Sequence, residues 1–247
     1  MIYLNSSKGL GDAIYLRAAT LYLLERGESV TVFTRWPDVF SGLPVAIRPV
    51  GEREGRLDLC QFACSLGRLN LENFSNFSAC CKKARFEKTI ELRIDWSVRN
   101  KALVDRVVRE AKGRKVFVYQ PVKTPHNDLQ ALATPHRDAY NRVVVEHGEY
   151  FRVRLGMPPY VEEDRGAPCE LDLFGRASIS DAFDIATVGD LFFGQHCYIP
   201  MLAEAMDKRF VCMFSRRALG SVEKIRNFRP DRLIHKKHLG TVVYDEA

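Results

Sequence analysis

The stretch IYLNSSKGLGDAI, residues 2–14, joins an apolar run to two glycines spaced one apart and then to an aspartate. Ile2 to Asn5 reads as a short buried strand, and Gly9 and Gly11 as the turn into a helix. Ala13 to Arg26 carries apolar residues around most of its surface and stops at Gly27, a residue type that closes helices in the left-handed conformation. The β-branched ESVTVFTR, residues 28–35, reads as a second strand. Strand, glycine turn, helix and strand in that order form the βαβ unit of a parallel α/β sheet. Beyond it, PDVFSGL suggests a short helix and PVAIRPVG a third or edge strand, while the Phe-rich LENFSNFSACCKKARF reads as helical or irregular.

A strand that feeds a glycine-rich turn and a helix N-terminus collects backbone N–H groups at the positive end of the helix dipole, where an anion is favoured. Neither common nucleotide fingerprint fits. A dinucleotide loop needs a third glycine where Ile14 stands, and a Walker A loop needs its lysine after the glycines, whereas Lys8 precedes them. Asp12 has two readings. It stands where an N-cap carboxylate would accept backbone N–H bonds, worth about 1 kcal/mol, and it is also a carboxylate that could serve as a general base.

A change of unit is expected near residue 113, giving domains of residues 1–112 and 113–247. NKALVDRVVREAKG reads as an amphipathic helix closed by Gly113, and KVFVYQP as a strong buried strand. A helix over 137–146, the strand YFRVRLG, the segment CELDLFG, the helix SISDAFDIATVG, the strand DLFFG, the helix PMLAEAMD and the strand RFVCMFS follow. This second βαβ succession predicts two α/β domains facing across a cleft.

Composition narrows the setting. No apolar run reaches the roughly 18 residues of a membrane helix, and the N-terminus has no signal-peptide pattern, so the expected location is the cytoplasm. The seven cysteines lack a second CxxC knuckle or paired histidine spacing, so buried reduced thiols are expected and no metal site. Between Lys82 and Lys115 there are twelve Lys or Arg against five Asp or Glu, enough to receive a phosphate-bearing ligand or a nucleic acid. Phe74 and Phe77 just before it and Phe86 and Trp96 within it could stack on a base or a sugar, although such aromatics are more often core.

The string SSKGLGDAIYLRAATLYLLERGESVTVFTR resembles the start of glycosyltransferase family nine, the ADP-heptose:lipopolysaccharide heptosyltransferases. LDLFGRASISDAFDIATVGDLFFGQHCYIPMLAEAMDKRFVCMFS is similar to that family's donor-binding segment, and together the two cover roughly 75 of the 247 residues. The resemblance implies a GT-B-like fold of two Rossmann-like α/β domains, the N-terminal one binding an acceptor and the C-terminal one a nucleotide-diphosphate sugar. It implies inverting transfer without a metal or other cofactor, with Asp12 as the base. Ser7, Lys8, Gly9 and Gly11 would form the acceptor or phosphate loop. Lys123, Gly175, Ser178, Gly194, Gln195 and His196 would meet the donor. The chain departs from the family pattern at Gln195-His196-Cys197-Tyr198-Ile199-Pro200-Met201, where His196 replaces an acidic residue and Met201 a histidine.

Three functions follow as expectations. The first is a glycosyltransferase acting on an envelope glycan or on modified DNA. The second is a catalytically inactive nucleotide or nucleotide-sugar binding protein of the same fold, and the third a nucleic-acid-binding module.

Overall fold

A computed structural model describes residues 2–6, 9–50, 59–61, 93–122, 134–156, 166–195, 198–217 and 239–245. The chain divides between Ile94 and Asp95 into two compact units. The expected boundary after residue 112 is therefore corrected. The helix Lys101–Ala111 packs on the helix Ile179–Val188 and belongs to the second unit.

In the first unit, β1 (Ile2–Ser6), α1 (Leu10–Glu25), β2 (Val30–Thr34), a 3-10 turn (Pro37–Phe40), β3 (Ala46–Arg48) and β4 (Leu59–Gln61) follow in order. The four strands form a wholly parallel sheet in the order β3-β2-β1-β4, with Leu4 level with Val32 on one side and with Cys60 on the other. Helix α1 is buried on most of its surface by Leu10, Ala13, Ile14, Leu16, Ala18, Ala19 and Leu23, as an all-round apolar helix must be. It ends as the sequence predicts. Gly27 adopts φ 76°, its N–H bonds the Leu24 carbonyl, and the Glu28 N–H bonds the Leu23 carbonyl, the paired closure that satisfies the last turn. Arg17, buried within this helix, donates to the carbonyls of Val39, Ser41 and Arg93 at 2.8–3.2 Å, tying the 3-10 turn and the segment at Arg93 to α1.

The second unit contains α2 (Lys101–Ala111), β5 (Val116–Tyr119), α3 (Arg137–Glu146), β6 (Phe151–Arg154), β7 (Leu171–Asp172), α4 (Ile179–Val188), β8 (Leu191–Gly194), α5 (Tyr198–Ala205), β9 (Arg209–Phe214) and β10 (Gly240–Tyr244). Its six strands are again all parallel, in the order β10-β9-β8-β5-β6-β7. Parallel sheets need both faces covered, and the central strands β5 and β8 are buried at every position. Tyr140 and Val144 of α3 pack on Phe117, Tyr119, Leu191 and Phe193 on one face. On the other face lie Val118 and Phe192, close against Gly189, where a Cβ would meet the Phe192 ring at 2.4 Å.

The expected helix over 137–146 is reproduced to the residue, and the helix expected from Pro200 starts two residues earlier, at Tyr198. Proline is tolerated in a first turn because its missing N–H has no intrahelical partner there. LENFSNFSACCKKARF lies outside the described residues. Among the described residues, no helix is long and apolar enough to cross a membrane.

Candidate functional site

Open parallel sheets bind ligands at the C-terminal ends of their strands, at the point where strand order reverses. Each sheet here has one such point. In the first, β2 lies on one side of β1 and β4 on the other, so the reversal falls at the end of β1, into Gly9, Leu10 and Gly11. In the second, β6 and β7 lie on one side of β5 while β8, β9 and β10 lie on the other. That reversal falls between the ends of β5 and β8, where Gln120 and Gln195 follow their strands and the Gln120 N–H bonds the Phe193 carbonyl at 3.3 Å.

The start of α1 differs from the expectation in one respect. The Ala13 N–H bonds the Gly9 carbonyl at 3.2 Å, so the helix begins at Leu10, Gly9 is its N-cap and Asp12 is its third residue. Asp12 is therefore not the N-cap. Gly11, expected in the turn ahead of the helix, is instead buried inside its first turn. In general an acidic residue in a helix's first turn is favoured by the helix dipole by about 0.3–1 kcal/mol.

At the second sheet the strand ends carry a row of buried polar side chains: Gln120, Arg154, Gln195, Ser215 and Asp245. Most have visible structural partners. Arg154 clasps Asp172 through two bonds, at 3.1 and 2.6 Å. Asp245 accepts the N–H groups of His136 and Arg216, each at 2.5 Å, fixing the start of α3 and the end of β9. The Ser215 hydroxyl oxygen accepts the Arg217 N–H at 3.3 Å. Gln195 differs from these. It is only 6% exposed, and its Oε1 has no hydrogen-bond partner among the described residues. Such an orphaned acceptor costs about 1–3 kcal/mol unless something meets it.

Gly194 is the buried last residue of β8, level with Cys212, and leads directly into Gln195. Gly175 and Ser178 stand elsewhere along the same edge, after β7, three strand positions from β8 and so about 14 Å away at the usual strand spacing. Gly175 adopts φ 68° in a turn where its N–H bonds the Gly156 carbonyl at 2.9 Å. Ser178 is the N-cap of α4. Its hydroxyl accepts the Asp181 N–H at 3.0 Å and lies 2.7 Å from the Asp181 carboxylate, which also accepts the Ser178 N–H at 2.9 Å. Ser7, Lys8, Lys123 and His196 lie outside the described residues.

Although partial burial raises the Asp181 pKa, the bonds from the Asn100 side chain and from Ser178 outweigh it and hold the carboxyl below the ordinary aspartate range. The sign follows from linkage. The stabilisation is fully present above the unfolded pKa and is lost as pH falls through the depressed folded value. Asp181→Asn should melt below wild type at neutral pH and approach it in acid, as thermal melts across a pH series would reveal.

Neither Cys169 nor Cys212 is placed as a nucleophile. Burial, partly offset by the Arg154 charge, holds the Cys169 thiol above its ordinary pKa, which disfavours the thiolate, and Cys212 is buried. Among the described residues there is no cluster of His, Cys, Asp or Glu able to hold a metal ion. Gln120 and Asp245, absent from the expected site, carried a usable signal, since each is a polar residue ending an apolar strand.

No protein-family model and no curated protein matches the sequence. Solved structures do match. The glycosyl transferase family 9 protein from Veillonella parvula DSM 2008 aligns with a TM-score of 0.61 and 10% identity over 98% of this chain and 85% of that one. ADP-heptose lps heptosyltransferase II from E. coli aligns at 0.54 and 13% identity, over 99% and 93%. TibC, an iron-containing dodecameric glycosyltransferase from enterotoxigenic E. coli H10407, aligns at 0.54 and 9%, over 86% and 57%. A second TibC structure, in complex with ADP-D-beta-D-heptose, aligns at 0.50 and 9%, over 86% and 58%. With two wholly parallel α/β sheets and these neighbours, the chain has the GT-B-like glycosyltransferase fold found in family 9 and heptosyltransferase structures.

Proposed function

We propose that this protein is a glycosyltransferase that moves a sugar from a nucleotide-diphosphate sugar to an acceptor hydroxyl, with inversion and without a metal. The observation that carries the reading is a coincidence of two independent features. The sequence segments that resemble the acceptor loop and part of the donor loop, Gly9 to Asp12 and Gly194-Gln195, follow the two strands at which strand order reverses.

In this reading Asp12 takes the proton of the acceptor hydroxyl as its oxygen attacks the anomeric carbon. The bond from that carbon to the diphosphate breaks on the opposite face and the nucleoside diphosphate leaves. Backbone N–H groups at the start of α5, and Lys123 as a cation, would stabilise the departing charge. An extended nucleotide-diphosphate sugar is long enough to lie along the edge between the β8 and β7 ends. Of the two acceptor classes, a glycan fits better than DNA. Within the basic segment Lys101 pairs with Asp105, Arg106 with Glu110 and Arg114 with Glu170, so three of its cations are already held by acids.

Thermal melts with a panel of nucleoside diphosphates and their sugar conjugates test the donor site. A true ligand at a hundred times its Kd should stabilise the fold by about 2.7 kcal/mol. No shift with any member would reject the site. The replacements at His196 and Met201 favour the second reading, an inactive binding protein. It would be supported by stabilisation without any release of nucleotide from the conjugate.

A further inference from the structure

We infer that the end of β9 and the start of α3 together form a site for a phosphate group, built from His136, Arg137, Arg216 and Arg217. The donor-site reading above uses none of these residues. Asp245 organises the site. It follows β10, is only 3% exposed, and its two oxygens accept the His136 and Arg216 N–H groups, each at 2.5 Å. A buried carboxylate needs such donors, because a charge away from water is expensive unless it is met. The consequence is positional. Two segments far apart in sequence are joined across the width of one carboxyl group, and each opens a basic pair, His136-Arg137 and Arg216-Arg217.

These side chains are accessible to a ligand. The His136 side chain is 65% exposed, and Arg137, Arg216 and Arg217 are exposed as well. Ser215, buried at the end of β9, steadies Arg217. Its hydroxyl oxygen accepts the Arg217 backbone N–H at 3.3 Å and the Nε–H at 3.4 Å. Two acids stand against the three guanidinium groups: Asp245, whose oxygens are engaged by backbone, and the exposed Asp138, 4.0 Å from His136 Nδ1. Gathering like charges costs free energy, and an anion bound among them reverses that cost. The donors set its chemistry. A guanidinium presents a planar fork of N–H groups that matches the oxygens of a phosphate or carboxylate. Three forks and an imidazole offer more donors than the two oxygens of a carboxylate use, whereas a phosphate ester carries three strong acceptor oxygens. In the order β10-β9-β8-β5-β6-β7, the end of β9 lies on the side of β8 away from β5.

Calorimetric titration with inorganic phosphate, with sodium chloride adjusted to hold ionic strength constant, tests the site. Wild type should bind phosphate saturably. Arg216→Gln and Arg137→Gln, both at exposed positions, should each weaken binding about tenfold, the usual worth of a hydrogen bond to a charged group. Arg109→Gln removes the same charge from an exposed position in the last turn of α2 and should leave binding unchanged. Asp245→Asn separates geometry from charge. Losing a negative charge would by itself tighten anion binding, yet losing the clamp should weaken it. Absence of saturable binding overturns the inference. So does an equal loss in Arg109→Gln and Arg216→Gln, which marks attraction by net charge, and so does tighter binding by Asp245→Asn. If that last variant fails to fold, the arginine variants still decide. Repeating the titration with saturating ADP, GDP, UDP or CDP identifies the source of the phosphate. Competition means that the site takes a phosphate of the donor, and unchanged binding assigns it to a phosphate on another ligand. Both results support the site. Wild type that binds phosphate but no nucleotide rejects the donor-site reading and leaves this inference standing.

Discussion

Asp12→Asn is expected to lower sugar transfer by about 10²–10⁴-fold, the usual worth of a general base, with nucleotide affinity nearly unchanged. The substitution keeps size and hydrogen-bonding shape but removes the proton acceptor. The competing explanation of this residue has become smaller. As an N-cap it would have contributed about 1 kcal/mol to α1 through its side chain. That position belongs to Gly9, whose carbonyl receives the first intrahelical bond from Ala13. What remains for a purely structural Asp12 is its interaction with the helix dipole, about 0.3–1 kcal/mol, which is a melting shift of a few degrees at most. The two roles therefore differ by orders of magnitude in turnover and hardly at all in stability. Single-turnover transfer, titration of the nucleoside diphosphate and a thermal melt on the same preparation separate them. A variant that transfers sugar at the wild-type rate makes Asp12 a helix residue only.

The sequence showed element type far better than it showed element junctions. The strands VTVFT and VFVY, and the helix over 137–146, were legible because β-branched runs and apolar periodicity act locally. The start of α1 was not, because glycine's low helix propensity was outweighed by burial of Gly11, a tertiary effect that no local window contains. The unit boundary moved for a similar reason. Lys101–Ala111 has the pattern of any amphipathic helix, and its partner α4 lies some eighty residues further along. At the candidate site, glycine and serine turns stood out in the sequence, yet Ser178 uses its hydroxyl for capping. Gln195 was visible as a loop residue, but its orphaned oxygen emerges only when the surrounding chain is in place.

Asp184→Ala is expected to cost about 3–5 kcal/mol, the largest stability loss among these substitutions. This aspartate lies in the middle of α4, fully buried, where a charge is expensive unless its oxygens are met. They are met three times. Oδ1 accepts the Trp96 indole N–H at 2.6 Å and the Arg99 N–H at 2.9 Å, and Oδ2 accepts the Asn100 N–H at 2.7 Å. The last two donors lie at the N-terminal end of α2, so one carboxylate anchors the segment that opens the second unit. Trp96 adds an edge contact to Phe183 at 4.7 Å between ring centroids, and the Arg99 guanidinium lies 4.4 Å over the Trp96 ring. Alanine would leave three donors without their acceptor. Asp184→Asn, which keeps one carbonyl oxygen but turns an amide toward a donor, should cost less, and Trp96→Phe, which loses one donor but keeps a ring against Phe183, least of all. Urea unfolding measures this order. Trp96 fluorescence, followed in a Trp36→Phe background, should show the α2 start loosening at lower urea in Asp184→Ala than in wild type. An alanine variant within about 1 kcal/mol of wild type would mean that the carboxylate's burial cancels its bonds, as happens for some buried charges whose removal is neutral.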